Sequence, residues 1–334
     1  MIMVTGATGH LGNVLVRELV GAGKKVRALV LPREDRGALA GVDLEWSEGD
    51  ILNPGSLNDA MHGVEDVYHL AALVSISPGQ EELLWEVNVN GTRNVLAACR
   101  HAGVRRVIFT SSIHALARPP QGVTIDESLP FDAENPAGAY DRTKAQASLE
   151  VQAAARNGQD AVIVCPTGVI GPFDFRRSEM GELILGWMKK KIGVITTGAF
   201  DFTDVRDVAR GHLLAAERGR SGETYILGGE RISLEQVYRL VKDCTRTYAP
   251  LVRLPTPLAL VGARLAEWYY QVSRTRPKFT RYAIETVCSN SHISSDKARH
   301  ELGYLPRSLT KTIHDTVAWW QANETRTRAS LRAG

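Results

Sequence analysis

Cysteine is scarce, with four in 334 residues. Cys99, Cys165, Cys244 and Cys288 lie far apart, with no Cys-x-x-Cys pair and no histidine at zinc spacing, so neither a disulfide framework nor a metal site is expected. Reduced thiols fit a cytoplasmic protein. A strong charge of one sign is also missing: 40 Lys and Arg against 37 Asp and Glu leave a net charge of +3. The basic residues are dispersed, apart from Lys189-Lys190-Lys191 and the tail from Arg326 to Arg332. A nucleic-acid partner, which calls for a denser basic stripe, is not expected. Long apolar runs are absent too. The most apolar late stretch, Pro257 to Val272, is broken by Arg264 and Glu267 and falls short of the roughly 20 residues a bilayer span needs, so no transmembrane segment is expected. The chain enters an apolar strand at Ile2 and a glycine turn by Gly6, so its start does not read as a signal peptide. No Gly-x-Ser-x-Gly elbow and no His-Glu-x-x-His helix occurs, which removes the usual residues of serine hydrolases and zinc proteases.

What is present is a globular composition, 44% hydrophobic and 23% charged, enough to bury a full core. From Met1 to about Pro166, short apolar runs alternate with helical patterns, the mark of βαβ units and of an α/β fold with a doubly wound parallel Rossmann-type sheet. Strands are predicted at Ile2 to Val4, Val26 to Leu31, Leu44 to Glu48, Asp66 to Leu70, Val107 to Thr110 and Ala161 to Cys165. Helices are predicted near Leu11 to Gly21, Ser56 to Met61, Glu82 to Ala102 and Tyr140 to Arg156. Beyond Pro166 the pattern loosens, with helices near Met180 to Lys190 and Val205 to Arg218 and a strand at Tyr225 to Leu227. Residues 1–166 and 203–231 read as a dinucleotide-binding domain, 167–202 and 232–324 as a smaller, mostly helical substrate lobe, and 325–334 as a frayed tail.

Val4-Thr5-Gly6-Ala7-Thr8-Gly9-His10-Leu11-Gly12 follows the first strand and opens the first helix, the context a dinucleotide fingerprint requires. Its glycines serve the tight turn, the approach to the pyrophosphate and close packing of helix on sheet, while the helix N-terminus offers free N–H groups to phosphate. An NAD site usually places an acid at the end of the second strand, against the ribose hydroxyls. Here the strand ends Val30-Leu31-Pro32-Arg33. With no acid there and a guanidinium at Arg33, NADP(H) is expected ahead of NAD(H), although Glu34 and Asp35 follow at once. Asp50, in Glu48-Gly49-Asp50-Ile51, is a candidate for the adenine end, or simply turn chemistry.

Tyr140-Asp141-Arg142-Thr143-Lys144 sets a phenol and an ammonium one helical turn apart. The ammonium is expected to draw the phenol pKa down toward neutrality and so make Tyr140 a usable acid or base for carbonyl–alcohol interconversion. The spacing alone is not specific, since Tyr238-Arg239-Leu240-Val241-Lys242 repeats it inside a stripe of helix-packing residues. Context favours Tyr140. It follows the strand Ile108-Phe109-Thr110-Ser111-Ser112, whose hydroxyl-rich end stands on the ligand side of an open α/β sheet. Ser112 can orient a substrate carbonyl from there, whereas Ser111 reads as satisfying loop backbone. His69 reads as a structural histidine, and Asn88 can bond helix backbone.

These segments together resemble the extended short-chain dehydrogenase/reductase superfamily. Thr5 to Gly12, His69-Leu70-Ala71-Ala72, Asn88-Val89-Asn90-Gly91-Thr92, Thr110-Ser111-Ser112 and Tyr140-x-x-x-Lys144 arrive in family order, and the match runs on through Asp204-Val205-Arg206-Asp207 and Tyr225 to Glu230 to Pro306. The C-terminal segments resemble the dihydroflavonol 4-reductase-like branch. The resemblance implies catalysis by Ser112, Tyr140 and Lys144, with Asn88 completing a proton relay. It implies a cofactor lined by Gly6, Thr8, Gly9, His10, Leu11, Gly12, Leu31, Arg33, Asp50, Ile51, Ala71, Tyr140, Lys144 and Pro166. It also implies a homodimer pairing the helices near Glu82 to Ala102 and Tyr140 to Arg156. Departures narrow the choice. Ser112 is followed by Ile113 and His114 rather than the Asp-Glu of sugar dehydratases. Cys165-Pro166-Thr167-Gly168-Val169-Ile170-Gly171-Pro172 lacks the Arg and Asn common in UDP-sugar epimerases. Leu31 stands where many NADP-dependent reductases of the branch carry Arg.

The expected activity is therefore an NAD(P)(H)-dependent reductase or dehydrogenase acting on a fairly apolar small molecule. Leu258, Leu260, Val261, Leu265, Trp268, Tyr269 and Tyr270 either form a hydrophobic entrance or are plain inter-helix core. The alternative activity is a nucleotide-sugar epimerase that retains its NAD. A non-catalytic dinucleotide sensor is disfavoured because Ser112, Tyr140 and Lys144 are all present.

Overall fold

The computed structural model describes residues 1–75, 79–273 and 281–333, except the side chains of 265, 267–273, 283 and 324–333. The first half runs β1 (Ile2–Thr5), α1 (His10–Gly21), β2 (Val26–Val30), β3 (Glu45–Glu48), α2 (Pro54–Ala60), β4 (Asp66–His69), α3 (Glu81–Trp85), α4 (Gly91–His101), β5 (Arg106–Thr110), α5 (Ala139–Arg156) and β6 (Ala161–Pro166). The second half continues with β7 (Gly168–Ile170), α6 (Glu179–Met188), β8 (Gly193–Thr196), β9 (Ala199–Asp204), α7 (Val205–Arg218), β10 (Thr224–Leu227) and β11 (Glu230–Ser233). It ends with α8 (Leu234–Thr245), β12 (Leu251–Leu254), α9 (Thr256–Ser273), α10 (Arg281–Cys288) and α11 (Leu309–Ala333).

Seven strands form one parallel sheet in the order β10-β6-β5-β4-β1-β2-β3. Strand period explains why its central members read as continuous apolar runs. Val107 and Phe109 of β5 and Ala161, Ile163 and Cys165 of β6 enter the core on one face, while Ile108, Val162 and Val164 enter the core on the other. The second of these cores also takes Val14, Leu15, Val16 and Leu19 of α1 and Val205, Val208, Ala209, Leu214 and Ala215 of α7. The chain moves outward from β1 through β2 to β3, then crosses to β4 and builds the other way. The order thus reverses between β1 and β4, which opens a crevice at their carboxyl ends.

The strands and helices predicted up to Pro166 are all present, with ends shifted by one or two residues. One differs in kind. The helix expected at Glu82 to Ala102 is interrupted by a π turn at Glu86–Asn90 that holds Asn88 inward. The mostly helical second half also contains two small sheets, β11-β9-β7 and β12-β8. Their strands have three to six residues, too short to show a clear alternation in the sequence. β10 returns the chain to the edge of the main sheet beside β6. α11 continues helical to Ala333 through the stretch expected to fray, since its Ala, Arg, Leu and Glu are good helix formers.

Candidate active site

The crevice mouth is built on a backbone crossing. Gly6 has φ +68, and a Cβ there would lie 2.7 Å from the Ala71 nitrogen; a Cβ on Gly12 would lie 2.1 Å from the Gly6 carbonyl oxygen. Only glycine fits either position. The Thr5 hydroxyl accepts from the N–H groups of Leu70 (3.2 Å) and Ala71 (3.1 Å) and bonds His69 Nδ1 at 2.7 Å. His69 Nε2 in turn meets Thr92 Oγ1 at 3.1 Å, and burial pushes its pKa down to about 3. His69 is thus a neutral structural histidine. α1 begins at His10 with no side-chain cap on Gly9 and no acid in its first turn, leaving N–H groups and the positive dipole end directed at the crevice.

Loops from the second half close over this turn. Asn13 donates to the carbonyls of Gly9 (2.8 Å), His10 (2.9 Å) and Phe173 (3.1 Å), and His10 Nε2 lies 3.0 Å from the Pro172 carbonyl. Arg176 donates to Thr8 Oγ1 and to Glu34, which also accepts from the Thr8 hydroxyl. The other Glu34 oxygen accepts from the Leu31 N–H at 2.8 Å. Leu31 itself is exposed. Arg33 is exposed on a left-handed turn residue, φ 64, with no hydrogen bond to the glycine loop. The acid absent from the strand end therefore reaches it from four residues on. Asp50 accepts from the Leu52 N–H at 2.9 Å, the turn role. Ile51 is core, packed so closely on Gly91 that a Cβ there would lie 2.6 Å from its Cδ1.

Tyr140 and Lys144 open α5, facing the end of β5. Lys144 Nζ donates to the Thr110 carbonyl at 2.6 Å and lies 4.5 Å over the Phe109 ring. Almost fully buried, it loses hydration, and its pKa falls to about 7. Tyr140 moves the other way. Desolvation raises its pKa to about 12, opposed by a hydrogen bond with Ser112 and reinforced by Asp141. The expected lowering by Lys144 is thus not found: loss of hydration on burial is the largest influence on the phenol, and Lys144 is not among the groups that shift it. Ser112 also accepts from the His114 N–H at 3.2 Å, while Ser111 is spent on Ser148 at 2.6 Å. Asn88 Oδ1 accepts from the Leu73 N–H (2.8 Å), and its amide donates to the Leu73 carbonyl (3.0 Å) and Thr143 Oγ1 (3.1 Å). It ties the loop after β4 to α5 at Thr143.

The sequence reading missed Asp141. Its fully buried carboxylate accepts from Arg118 (2.7 Å) and from the Tyr282 hydroxyl (2.6 Å). Beside it, His114 stacks on Phe200 at 5.5 Å. His114, Arg118 and Phe200, with Ile113, Leu116 and Ile293, wall a cavity of about 220 Å³. The only signal was an acid next to the candidate tyrosine, and neither Arg118 nor Tyr282 has any sequence relation to it. The decoy Tyr238 is buried and donates to the Ala249 carbonyl at 2.7 Å.

Residues 2–228 match the NAD dependent epimerase/dehydratase family. The chain belongs to this family. Over 323 residues it is 38% identical to the sterol demethylase protein B of Methylococcus capsulatus, covering 96% of this chain and 98% of that protein. Over 309 residues it is 32% identical to the 4-hydroxy-2-methyl-3-oxo-4-farnesyl-3,4-dihydroquinoline-1-oxide ketoreductase of Stigmatella aurantiaca, covering 91% of each. The crystal structure of gox2253 superposes with a TM-score of 0.84 at 34% identity, covering 97% of this chain and 98% of that one. This family member is an NAD(P)-dependent oxidoreductase of the extended short-chain type.

The depressed Lys144 pKa has a signed consequence. Between about 7 in the folded protein and 10.5 in the unfolded chain, the unfolded state binds the extra proton, so stability rises with pH across that window. Below it both states are protonated and the burial cost is full. In the cofactor-free protein, Lys144→Met should therefore raise Tm most near pH 6, with the advantage shrinking steadily toward pH 10. A pH-independent difference in thermal melts would show that Lys144 keeps an ordinary pKa.

Proposed function

We propose that the protein interconverts a secondary alcohol and a ketone on an apolar, isoprenoid-derived molecule, with NAD(H) as hydride carrier and Tyr140 as the group that gives and takes the proton. The observation that carries this reading is the Tyr140 phenol, influenced by Ser112 at the sheet's ligand end, where the two residues that follow Ser112, Ile113 and His114, help wall a cavity lined mainly by aliphatic and aromatic side chains. The substrate class is supported by two relatives, one named for sterol demethylation and one for ketoreduction of a farnesyl-bearing quinoline. Phe200 and Ile293 come from residues 167–202 and 232–324, which supports reading those segments as the substrate side.

The crevice fits a dinucleotide. The uncapped α1 N-terminus can receive a pyrophosphate, and no side chain fills the turn at Gly6, Gly9 and Gly12. Bound there, the nicotinamide supplies or accepts the hydride at carbon. Tyr140, raised to about 12, holds its proton at neutral pH and can deliver it to the carbonyl oxygen that the Ser112 hydroxyl orients. Lys144, tied to Thr110, fixes the turn of α5 from which the phenol projects. Asn88 supports the same turn through Thr143.

For the adenosine end, the expectation of NADP(H) rested on Arg33 and on a strand end without an acid. Glu34, bonded to Leu31 and Thr8, supports NAD(H) instead, because a carboxylate there repels a 2'-phosphate. Calorimetric titration should find NADH tighter than NADPH by about tenfold, about 1.4 kcal/mol, and Glu34→Gln should narrow the gap. Equal affinities would return the preference to Arg33.

A homodimer through α3, α4 and α5 is supported by Leu83 and Trp85, which stay 50% and 41% exposed on α3, and by the Arg93–Glu150 pair that ties α4 to α5 at 2.6 Å. Light scattering should give twice the chain mass, and Trp85→Asp should halve it. A wild-type monomer at micromolar concentration refutes this assembly.

The chemistry is tested by Tyr140→Phe against Tyr238→Phe. The first should lower turnover by roughly 100- to 10,000-fold on a panel of isoprenoid ketones and alcohols, with NADH affinity unchanged. The second should leave turnover alone and cost about 1 kcal/mol, since the Ala249 carbonyl loses its donor. Stoichiometric loss of NADH separates this activity from an epimerase, whose cofactor is not consumed. A fully active Tyr140→Phe overturns the assignment.

A further inference from the structure

The apolar stretch at 257–272, read from sequence as either a hydrophobic entrance or inter-helix core, and the lysine run at 189–191 lie on linked elements of the fold. β8 and β12 pair in parallel, with Val194 opposite Val252. Both side chains are exposed, as is Ile192 just before β8, whereas Ile195 and Leu251 turn inward to the core. α9 leaves just after β12, and Thr256 in its first turn bonds Thr196 at the end of β8 at 3.0 Å. Ala259 and Ala263 of α9 are buried with Ile284 of α10, and Leu258 and Val261 are 60% and 59% exposed. Tyr248, 69% exposed, stands just before β12. These six residues are six of the fourteen large apolar side chains exposed among the described residues. Single exposed apolar residues are ordinary, but a concentration of this kind is not. The side chains of Leu265, Trp268, Tyr269 and Tyr270, expected on the same helix, lie outside the described residues.

Charge is concentrated in the same place. Residues 186–197 and 234–264 hold eight Lys and Arg against two Asp and Glu, a net charge of +6 in a chain whose total is +3. The remainder of the molecule is therefore acidic overall. Lys189, Lys190 and Lys191 are exposed immediately before Ile192, and Lys242 lies 5.7 Å over the Tyr248 ring. Among the described residues, the acids of this region are Glu235, already engaged by Arg239 and Arg253, and Asp243.

We propose that this face, made by the α6–β8 turn, the β8–β12 ribbon and the outer side of α9, docks the protein on an anionic lipid bilayer. A second copy of the chain is a poor occupant, because a two-fold contact would oppose +6 to +6. A nucleic acid would satisfy the cations but offers no apolar phase for Ile192, Leu258 and Val261. A bilayer with anionic headgroups satisfies both, and cations beside apolar side chains at such an interface act together. The face is continuous with the catalytic half of the molecule. β8 leads through Thr197 and Gly198 into β9, whose Phe200 walls the cavity that Ile113 and His114 also line, and Ser289 and Asn290, just beyond α10, line the same cavity. An apolar substrate dissolved in the bilayer would reach the cavity from this side.

Flotation of the full-length protein with vesicles tests the proposal. The protein should float with vesicles of equal parts phosphatidylcholine and phosphatidylglycerol, stay behind with phosphatidylcholine alone, and lose most of its binding at high salt. Lys190→Glu with Lys191→Glu should lower partitioning about tenfold or more. Ile192→Asp with Leu258→Asp should lower it comparably, while NADH affinity and Tm stay at wild-type values. Leu305→Asp, at a site 81% exposed elsewhere, should bind as wild type does. Three outcomes overturn the proposal. The first is no flotation with anionic vesicles. The second is full binding by the Ile192→Asp, Leu258→Asp variant, the behaviour of a purely electrostatic anion binder. The third is a fall in oligomer mass on substituting the face, which would assign it to another copy of the chain.

Discussion

Much of this structure hangs on a place where two stretches of main chain touch. The turn at Gly6 lies against Ala71 at the end of β4, and the first turn of α1 lies against Gly6, with no space for a Cβ on either side. That contact fixes the direction of α1 and so the direction in which its unpaired N–H groups point. It also brings Thr5 within reach of His69, Leu70 and Ala71, so β1 and β4 are joined by side-chain bonds just where their strand order reverses. A charged imidazole in this knot would be unpaired and desolvated, and the strongly lowered pKa of His69 reflects that cost.

From this mouth polar contacts lace the two halves of the chain together, beside the apolar cores that both halves share. Asn13 and His10 reach the carbonyls of Phe173 and Pro172, and Arg176 spans Thr8 and Glu34. At the other end of the crevice, Asp141 performs a comparable task. It is a fully buried carboxylate whose partners, Arg118 and Tyr282, come from the loop after β5 and from α10. Removing either partner would leave a desolvated carboxylate without its full complement of donors. The N-terminus of α5 is held accordingly, and with it the phenol at Tyr140.

The same burial sets the chemistry. Around Lys144 and Tyr140 the low-polarity surroundings favour the neutral form of each group, lowering one pKa and raising the other. In the proposed reaction, a proton held on the phenol and a hydroxyl at Ser112 give the site the character of an acid aimed at an oxygen. Ile113, Leu116 and Ile293 give the cavity an aliphatic wall. On the outside, exposed apolar side chains of the β8–β12 ribbon and α9 share a face with the chain's main excess of positive charge.

The sequence by itself determined the parallel sheet and the glycine turn and put forward the Ser112, Tyr140 and Lys144 set, because each is written in local spacing: a period of two in buried strands, glycines where no Cβ fits, two groups one helical turn apart. It also separated Tyr140 from Tyr238, since the preceding hydroxyl-bearing strand end is a local feature. Tertiary structure alone decided the rest. Glu34 acquires its place only because the chain turns back on Leu31 and Thr8, which strand-end spacing does not encode. Asp141 finds Arg118 and Tyr282 from distant segments. Asn88 turns toward Leu73 and Thr143 through a π turn that an amphipathic pattern does not reveal. The pKa of Tyr140 moved opposite to the expectation drawn from its neighbour's charge, because hydration is lost through contacts made by the whole fold, whereas the Tyr–Lys spacing records only which two groups are close.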